Sequence, residues 1–206
     1  MEGNVGCGKS TFLKLFNARY GVETIQEPLH EWCDFRGHDA LAKAYENPEK
    51  YAMPFQTLVS MTLAKRYQMP STANVRYTER SLFSARYCFT EHLLDKNHLD
   101  DFQYDVLDAL FDTFKKTCPV DLIIYLRTSP ETCLRRVRER NRNEEASLTL
   151  DHLKDLHKLH EDWLMDRKFP VPADVIEIDA NRDTLQIMEQ VTNMLKNTSL
   201  FLSEKK

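Results

Sequence analysis

The chain has 206 residues, of which 42% are hydrophobic and 29% are charged, a composition that is ordinary for one globular domain with a single core. Its formal net charge of −4 at pH 7 argues against a general nucleic-acid-binding protein, which would usually be basic. No apolar run approaches the roughly 20 residues that cross a bilayer. The five cysteines are widely spaced without a C-x-x-C pair, which disfavours a zinc site or a disulfide framework and favours a reducing compartment.

The first element is a phosphate-binding loop, because residues 3–10 match the pattern G-x-x-x-x-G-K-[ST]. Glycines let the backbone N–H groups of such a loop point at phosphate oxygens, and the following helix adds the positive end of its dipole. Lys9 can reach the β- and γ-phosphates, and Ser10 can ligate Mg²⁺. The alternative is a glycine-rich turn that caps an ordinary helix. We predict that ATP contacts these residues: Gly3, Asn4, Val5, Gly6, Cys7, Gly8, Lys9, Ser10 and Thr11.

After the loop, short β-type runs alternate with longer helical patterns. Strands are predicted at 23–26, 74–78, 121–126 and 174–178. Helices are predicted at about 9–19, 38–48, 54–68, 82–96, 102–117, 130–142, 150–166 and 183–196. Apolar strands between helices are typical of an α/β fold with a parallel sheet that helices cover on both faces. Ligands bind such sheets at the carboxyl ends of the strands, so we expect the functional residues there.

Charged residues follow two of these strands directly. Glu27 comes after the strand at 23–26, and a carboxylate beside a phosphate loop can accept a hydroxyl proton during phosphoryl transfer. Glu79 and Arg80 follow the strand at 74–78, where an acid could hold Mg²⁺ and a base could stabilise an oxyanion. The alternatives are a solvated loop acid and a surface ion pair of little energetic value.

An arginine-rich helix follows the strand at 121–126, with Ser129 as its expected N-cap and Pro130 at its first position. Guanidinium groups suit a triphosphate, which favours a mobile lid at about 135–146 that closes over ATP. The alternatives are a solvated helix face and an RNA-binding stripe, and neighbouring glutamates disfavour the second. The arginines are Arg135, Arg136, Arg138, Arg140 and Arg142, and the glutamates are Glu139, Glu144 and Glu145.

Together these segments resemble the deoxyribonucleoside kinase family over nearly the whole chain. The matching segments are 2–11, 27–32, 36–38, 52–56, 79–89, 126–131 and 156–164. The resemblance implies one kinase domain over 1–206, with a phosphate-loop kinase fold and a parallel sheet of strand order 2-3-1-4-5. The central strand of that order would end at Glu2, so we expect it to be missing or truncated here. The compartment is cytosolic for the sequence as written, or mitochondrial if a presequence precedes it.

The resemblance also implies roles for individual residues. Glu27 would take the proton from the nucleoside 5′-hydroxyl, helped by Arg80, while Ser10 and Glu79 would contact Mg²⁺. The lid arginines over the ATP phosphates would be Arg138, Arg140 and Arg142. The deoxynucleoside would contact Trp32, Tyr45, Phe55, Gln56, Val59, Leu63, Arg80, Ala85, Phe89 and Glu161. Within that set, Gln56 would bind the base edge, the three aromatic rings Trp32, Phe55 and Phe89 would line the base, and Tyr45 and Glu161 would bind the sugar 3′-hydroxyl.

Base preference follows from two positions. Deoxycytidine and deoxyguanosine kinases of the family typically have Asp and Arg where this chain has Ala85 and Leu63. The missing charged pair and the space for a thymine methyl group favour thymidine and deoxycytidine as substrates. The resemblance further implies a homodimer, with neither nucleic acid nor membrane as a partner. A nucleoside monophosphate kinase and a non-catalytic or truncated relative of the family stay open as alternatives.

Overall fold

The computed structural model describes residues 1–17, 20–142, 145–182, 186, 187 and 190. It has four strands, and their ends lie within one residue of the predicted ends. They are β1 (Val22–Ile25), β2 (Val75–Thr78), β3 (Leu122–Arg127) and β4 (Asp174–Asp179). Strand β1 pairs in parallel with β2, and β3 pairs in parallel with β4. The predicted parallel α/β arrangement is therefore confirmed.

The first two residues join these two pairs of strands. The Met1 ammonium group donates a hydrogen bond of 2.7 Å to the Thr78 carbonyl at the end of β2. On the other side, the Glu2 N–H donates to the Ile124 carbonyl at 2.9 Å, and the Leu126 N–H donates to the Glu2 carbonyl at 3.0 Å. The lateral order is thus β1, β2, residues 1–2, β3, β4. When residues 1–2 are counted as the first strand along the chain, this is the predicted order 2-3-1-4-5. Two residues occupy the central position, where we had expected a missing or truncated strand.

Helices surround the sheet. They are α1 (Lys9–Lys14), α2 (Leu29–Cys33), α3 (Ala40–Glu46), α4 (Pro48–Tyr67), α5 (Leu82–Ser84), α6 (Glu91–Asp95), α7 (Asp101–Lys115), α8 (Pro130–Arg140) and α9 (Leu150–Leu164). A π-helical segment, Ala85–Thr90, connects α5 to α6. The helix predicted at 183–196 falls almost wholly outside the described residues. None of the helices in the described part of the chain has the length and apolar character needed to cross a bilayer.

Helix α4 begins six residues before its predicted start at Pro54. The Asn47 side chain accepts a hydrogen bond from the Lys50 N–H and caps the helix, and Pro48 occupies the first turn, where a missing N–H costs nothing. Pro54 lies inside the helix, where its ring leaves one backbone carbonyl without its usual donor. The prediction placed the start of the helix at Pro54. The stronger sequence signal for a helix start was Asn47, a favoured N-cap residue, followed by Pro48 in the first turn.

Two hydrophobic clusters lie on opposite faces of the sheet. Successive strand residues point to opposite faces, and Ile123 and Tyr125 of β3 join one cluster while Ile124 and Leu126 join the other. Helix α9 contributes to both, for example through the fully buried Leu153 in the second cluster. The predicted covering of both sheet faces is therefore observed.

We expect Leu153→Ala to lower the free energy of unfolding by about 2–5 kcal/mol, because it leaves a cavity in a packed cluster. Urea denaturation followed by circular dichroism measures this change. Met61→Ala is the matched control, since Met61 is 53% exposed on α4, and it should shift stability by at most about 0.5 kcal/mol. Equal effects of the two substitutions would contradict the assignment of Leu153 to the core.

Candidate active site

The phosphate loop connects residues 1–2 to α1. Gly6 has a φ of 80°, and a Cβ atom there would lie 2.6 Å from the Cys133 carbonyl oxygen of α8, so only glycine fits. The Lys9 ammonium donates to the carbonyls of Gly3 and Asn4 at 3.1 and 2.9 Å. The loop therefore holds its lysine close to the backbone groups that form an anion-binding cradle.

Ser10 and Glu79 lie together at the start of α1. The Ser10 hydroxyl is 2.9 and 3.0 Å from the two carboxylate oxygens of the buried Glu79. Hydroxyl and carboxylate oxygens suit Mg²⁺, which takes one or two protein ligands together with phosphate oxygens. Across the described residues, no group of three or more His, Cys, Asp or Glu side chains could hold a metal ion by itself. The pair therefore fits a magnesium ion that arrives with a nucleotide.

The buried Arg80 forms an ion pair with the half-buried Glu27 next to the loop. Arg80 Nε lies 2.9 Å from Glu27 Oε1, and its Nη1 donates to the Gly3 carbonyl at 3.1 Å. Arg80 has a φ of 63°, a backbone conformation that non-glycine residues adopt mainly where the surrounding structure imposes it. Burial raises the pKa of the Glu27 carboxyl group, and the Arg80 charge opposes this effect. Glu27 is thus a carboxylate with increased affinity for a proton.

A cavity of about 330 Å³ opens beside this pair. Its polar end is lined by Val5, Gly6, Lys9, Ser10, Glu27, Glu79 and Arg80. The other predicted contacts that line it are Trp32, Tyr45, Phe55, Gln56, Val59, Leu63, Ala85 and Phe89. The structure therefore brings together the predicted catalytic, magnesium and nucleoside-binding residues, with Glu161 as the exception.

The aromatic walls of the cavity are held in fixed positions. The Trp32 indole N–H donates to the Thr62 hydroxyl at 2.9 Å, and the Trp32 ring meets Phe55 edge to face at 5.7 Å. Phe89 lies under the Arg80 guanidinium, 4.5 Å from the ring centroid. Within the described residues, the buried Oε1 atom of Gln56 has no hydrogen-bond partner. An amide oxygen in that state is suited to pair with a polar edge of a bound ring.

Glu161 lies outside the cavity, which corrects the sequence prediction. Its carboxylate accepts hydrogen bonds from the Tyr125 hydroxyl at 2.7 Å and from Arg127 Nε at 3.0 Å. Glu145 lines the cavity instead. Burial, together with the nearby charge of Glu145, raises the pKa of Tyr45 to about 12. Glu145 was not among the predicted contacts, because in the sequence it is one of several glutamates near the arginines and was used only as an argument against RNA binding.

The arginines of the predicted lid divide into two groups. Arg140 and Arg142 line the cavity and pair with Glu145 at 2.6 and 3.5 Å. Arg138 instead donates to the backbone carbonyls of residues 146 and 148, both at 2.9 Å. Arg138 therefore holds the backbone at residues 146 and 148 and does not line the cavity, contrary to its predicted place over the ATP phosphates.

A second cavity of about 380 Å³ adjoins the outer side of the phosphate loop. Cys7, Gly8 and Thr11 line it, together with Arg136 of α8 and Arg182. Arg136 Nη1 also donates to the Cys7 carbonyl at 3.3 Å. Seven of the nine predicted loop residues thus line one or the other of these two cavities, and Gly3 and Asn4 line neither.

These features define an α/β phosphotransferase with a phosphate loop. The model of the deoxynucleoside kinase family matches residues 1–201. The chain is 39% identical over 196 residues to "Thymidine kinase 2, mitochondrial" of Macaca fascicularis, covering 92% of this chain and 74% of the relative. The human protein of the same name is 38% identical over 192 residues, covering 92% and 72%. "Deoxycytidine kinase" of Mus musculus is 30% identical over 230 residues, covering 95% and 88%. The chain belongs to the deoxynucleoside kinase family.

We expect Gly6→Ala to abolish ATP binding and to destabilise the fold, because it adds both an unfavourable φ and a 2.6 Å contact with a backbone oxygen. Gly37→Ala is the control, since Gly37 has a φ of 82° but open space around its Cβ position. That change should cost only about 1–2 kcal/mol and should leave ATP binding intact. Thermal unfolding and calorimetric ATP titration measure both effects, and normal ATP binding by Gly6→Ala would refute the proposed loop packing.

Proposed function

We propose that the protein transfers the γ-phosphoryl group of ATP to the 5′-hydroxyl of a deoxyribonucleoside, with thymidine and deoxycytidine preferred. The observation that carries this proposal is the shared cavity, whose lining includes phosphate-loop residues, the Glu27 carboxylate and the Gln56 amide. Family membership supports the class of reaction.

In the reaction, the 5′-oxygen attacks the γ-phosphorus atom while the bond to the β-phosphate oxygen breaks. Glu27 accepts the proton of the hydroxyl, and the products are ADP and the nucleoside 5′-monophosphate. Arg80 orients Glu27 through their 2.9 Å ion pair. Lys9, Arg140 and Arg142 stabilise the negative charge of the phosphoryl groups. Ser10 and Glu79 would hold Mg²⁺, which when bound neutralises charge on the β- and γ-phosphates.

The alternatives have less support from the cavity. A nucleoside monophosphate as acceptor would place a phosphate against the Glu27 carboxylate, which is unfavourable because both groups are negatively charged. A non-catalytic relative has no need for Lys9, Ser10 and Glu27 in one cavity, yet all three line it. The nucleoside kinase reaction uses each of these residues.

Pyrimidine preference has support from the apolar lining of the cavity. Leu63 and Ala85 line it, are buried and belong to one hydrophobic cluster. Their apolar surfaces suit a base with a methyl group and offer no charged partner to a base that needs one. Gln56 supplies the amide that can pair with the polar edge of a pyrimidine. Relatives are named both thymidine kinase and deoxycytidine kinase, which agrees with a site for either base.

The homodimer stays a prediction. Phe102 is 76% exposed on α7, so this helix presents an apolar ring to solvent.

Glu27→Gln should reduce kcat at least about a hundredfold with little change in thymidine affinity, because it removes the proton acceptor and keeps the shape. In the wild type, kcat/KM should fall on the acid side with a midpoint above 4.5, the ordinary glutamate pKa, since the pKa of Glu27 is raised and only its ionised form accepts a proton. A coupled ADP-release assay across pH measures both effects.

Glu31→Gln is the matched control for this experiment. Glu31 follows Glu27 by one turn and pairs with Arg66 at 2.7 Å, outside the cavity. Its substitution should change kcat less than about twofold. Full turnover of Glu27→Gln would show that Glu27 is not the base.

The double substitution Ala85→Asp and Leu63→Arg should lower kcat/KM for thymidine at least about tenfold, because it replaces apolar walls with a buried charged pair in the space of the methyl group. Deoxycytidine should be affected less. Met61→Arg is the control for added charge on α4, since Met61 faces solvent. Unchanged thymidine efficiency in the double variant would refute the base-pocket assignment.

A further inference from the structure

Glu2 is a buried acid that the proposed reaction does not use. It is 2% exposed and does not line the nucleoside cavity. Among the residues that the structure describes, its Oε2 atom has no hydrogen-bond partner. A buried carboxylate oxygen without a donor is unfavourable, so we expect a positive charge nearby that compensates it.

The direction of the Glu2 side chain follows from its place beside β3. Glu2 is in register with Tyr125 of that strand, and residues in register point to the same face of a parallel sheet. Tyr125 belongs to the hydrophobic cluster against which Phe89 packs, whereas Met1 belongs to the cluster on the opposite face. The Glu2 carboxylate therefore points to the face on which Phe89 lies.

The Arg80 side chain crosses the same face. Its backbone N–H donates to the Met1 carbonyl at 2.9 Å, and its Nη1 atom donates to the Gly3 carbonyl at 3.1 Å. The side chain thus extends along the segment that contains Glu2. Its guanidinium group lies over the Phe89 ring, 4.5 Å from the ring centroid. Arg80 is therefore the positive charge beside Glu2.

Glu27 and Glu2 are the two acids that act most strongly on this guanidinium. Burial lowers the pKa of Arg80, but the charges of Glu27 and then Glu2 raise it above its ordinary value. Cys7 and Glu79 contribute less in the same direction. Glu27 forms the direct ion pair of 2.9 Å, and Glu2 supplies the second negative charge.

His160 of α9 is a further group near Arg80, and it carries no charge. Its ring is fully buried and parallel to that of Tyr125, and its Nδ1 atom lies 2.6 Å from the Leu156 carbonyl oxygen. Burial, followed by the charge of Arg80, lowers the pKa of His160 to about 3, so the ring is neutral near pH 7. It cannot replace the negative charge of Glu2.

Proton transfer changes the balance of charge around Arg80. Under the proposed function, Glu27 accepts the proton of the nucleoside 5′-hydroxyl while the oxygen–phosphorus bond forms, and its carboxylate becomes neutral. Arg80 then loses the charge of its direct partner. Because a buried cation without a counter-charge is unfavourable, a second carboxylate nearby stabilises the state in which Glu27 is protonated.

We propose that Glu2 is a positioning residue, whose negative charge holds the Arg80 guanidinium in place when Glu27 accepts the substrate proton. The inference rests on the proposed function. Glu2 does not line the cavity, so it acts through Arg80 and not on the nucleoside. Its charge makes Glu27 a stronger base without a change in the surface that binds the substrate.

The test is Glu2→Gln, which removes the charge and keeps the shape of the side chain. It should lower kcat for thymidine by about three- to tenfold, because Glu27 becomes a weaker base. The dissociation constant of thymidine, measured by calorimetric titration, should stay within about twofold, because the variant leaves the binding surface intact.

The pH profile of Glu2→Gln is the second measurement. The acid-side midpoint of kcat/KM should move to lower pH by about half a unit to one unit, since loss of a nearby negative charge favours the ionised form of Glu27. The other groups that face Glu27 are unchanged in this variant, namely Arg80, Glu79, Lys9 and Tyr45. A loss of packing alone would lower kcat but would not move the midpoint in this direction.

Two further variants serve as controls. Glu2→Asp keeps the charge on a shorter side chain and should keep the wild-type midpoint. Asp162→Asn removes another buried carboxylate, which pairs with Lys158 and Lys168 at 2.7 and 2.6 Å and does not line the cavity. It should leave kcat within about twofold and the midpoint unchanged. Circular dichroism establishes that each variant is folded.

The possible results separate the role of Glu2 from the proposed function. If wild-type protein phosphorylates no nucleoside, both proposals fail. If wild-type protein is active and folded Glu2→Gln keeps its kcat and midpoint, the role of Glu2 is refuted and the kinase proposal stands. A lower kcat with an unchanged midpoint, or an equal loss in Asp162→Asn, would indicate a structural role and would also refute the proposal. If Glu2→Gln does not fold, a displaced midpoint in Glu2→Asp would contradict it.

Discussion

The buried guanidinium of Arg80 is the contact on which the arrangement of the site depends. It pairs with Glu27 after β1, donates to the Gly3 carbonyl at the start of the phosphate loop, and lies over the Phe89 ring. The Arg80 backbone N–H also donates to the Met1 carbonyl at 2.9 Å. Arg80, which follows β2, thus contacts both the end of β1 and the central segment at residues 1–3. Since a buried cation is stable only with good partners, a change at any of these contacts is expected to disturb the others.

Helix α9 provides a second link between the site and the core. Its first turn follows the lid and supplies His152, and the Leu153 carbonyl accepts a hydrogen bond of 2.7 Å from the Asn4 side chain in the phosphate loop. Its later residues include the fully buried Trp163, which packs in the cluster on the other side of the sheet. Because the helix is anchored in both clusters, the segment that we predict to be a lid leads into a rigid element. The same helix also contacts the phosphate loop through the Leu153 carbonyl.

Much of this architecture could be predicted from local patterns. The phosphate loop has a spacing that few other structures require, and β3 is an unbroken apolar run, so both were found near their observed positions. Ser129 also caps α8 as its sequence indicates, accepting a hydrogen bond from the Thr132 N–H. The nucleoside-lining residues other than Glu161 were placed through family resemblance, which carries three-dimensional information that spacing alone does not.

The failures share a physical cause. Glu145 and Glu161 are both acids near arginines, and only the path of the chain after α8 decides which one turns into the cavity. Arg138 differs from Arg140 in the same way, because its hydrogen bonds to the carbonyls of residues 146 and 148 are tertiary contacts that no local pattern predicts. The start of α4 was predicted six residues too late, because the capping residue Asn47 was present in the sequence but was not recognised. Tertiary contacts therefore decided the roles of these charged residues.

The charges that line the cavity explain how an acidic chain can bind a triphosphate. Lys9, Arg80, Arg140 and Arg142 face Glu27, Glu79 and Glu145, which gives a local excess of one positive charge in a chain with a net charge of −4. All four cations already have partners, since Lys9 binds loop carbonyls, Arg80 pairs with Glu27, and Arg140 and Arg142 pair with Glu145. A phosphate group that binds to these cations must therefore replace some of their present partners.

The exchange at Arg140 has a consequence at the other side of the cavity. A phosphate group that draws this guanidinium away leaves the Glu145 carboxylate with fewer donors, at a buried position beside Tyr45. A buried carboxylate without a partner is unfavourable, so it gains from accepting a hydrogen bond from a sugar hydroxyl. Under the proposed function, the phosphate and sugar ends of the site are coupled through this one glutamate. The donor nucleotide and the acceptor nucleoside thus each improve the site for the other, and no movement of the sheet is needed.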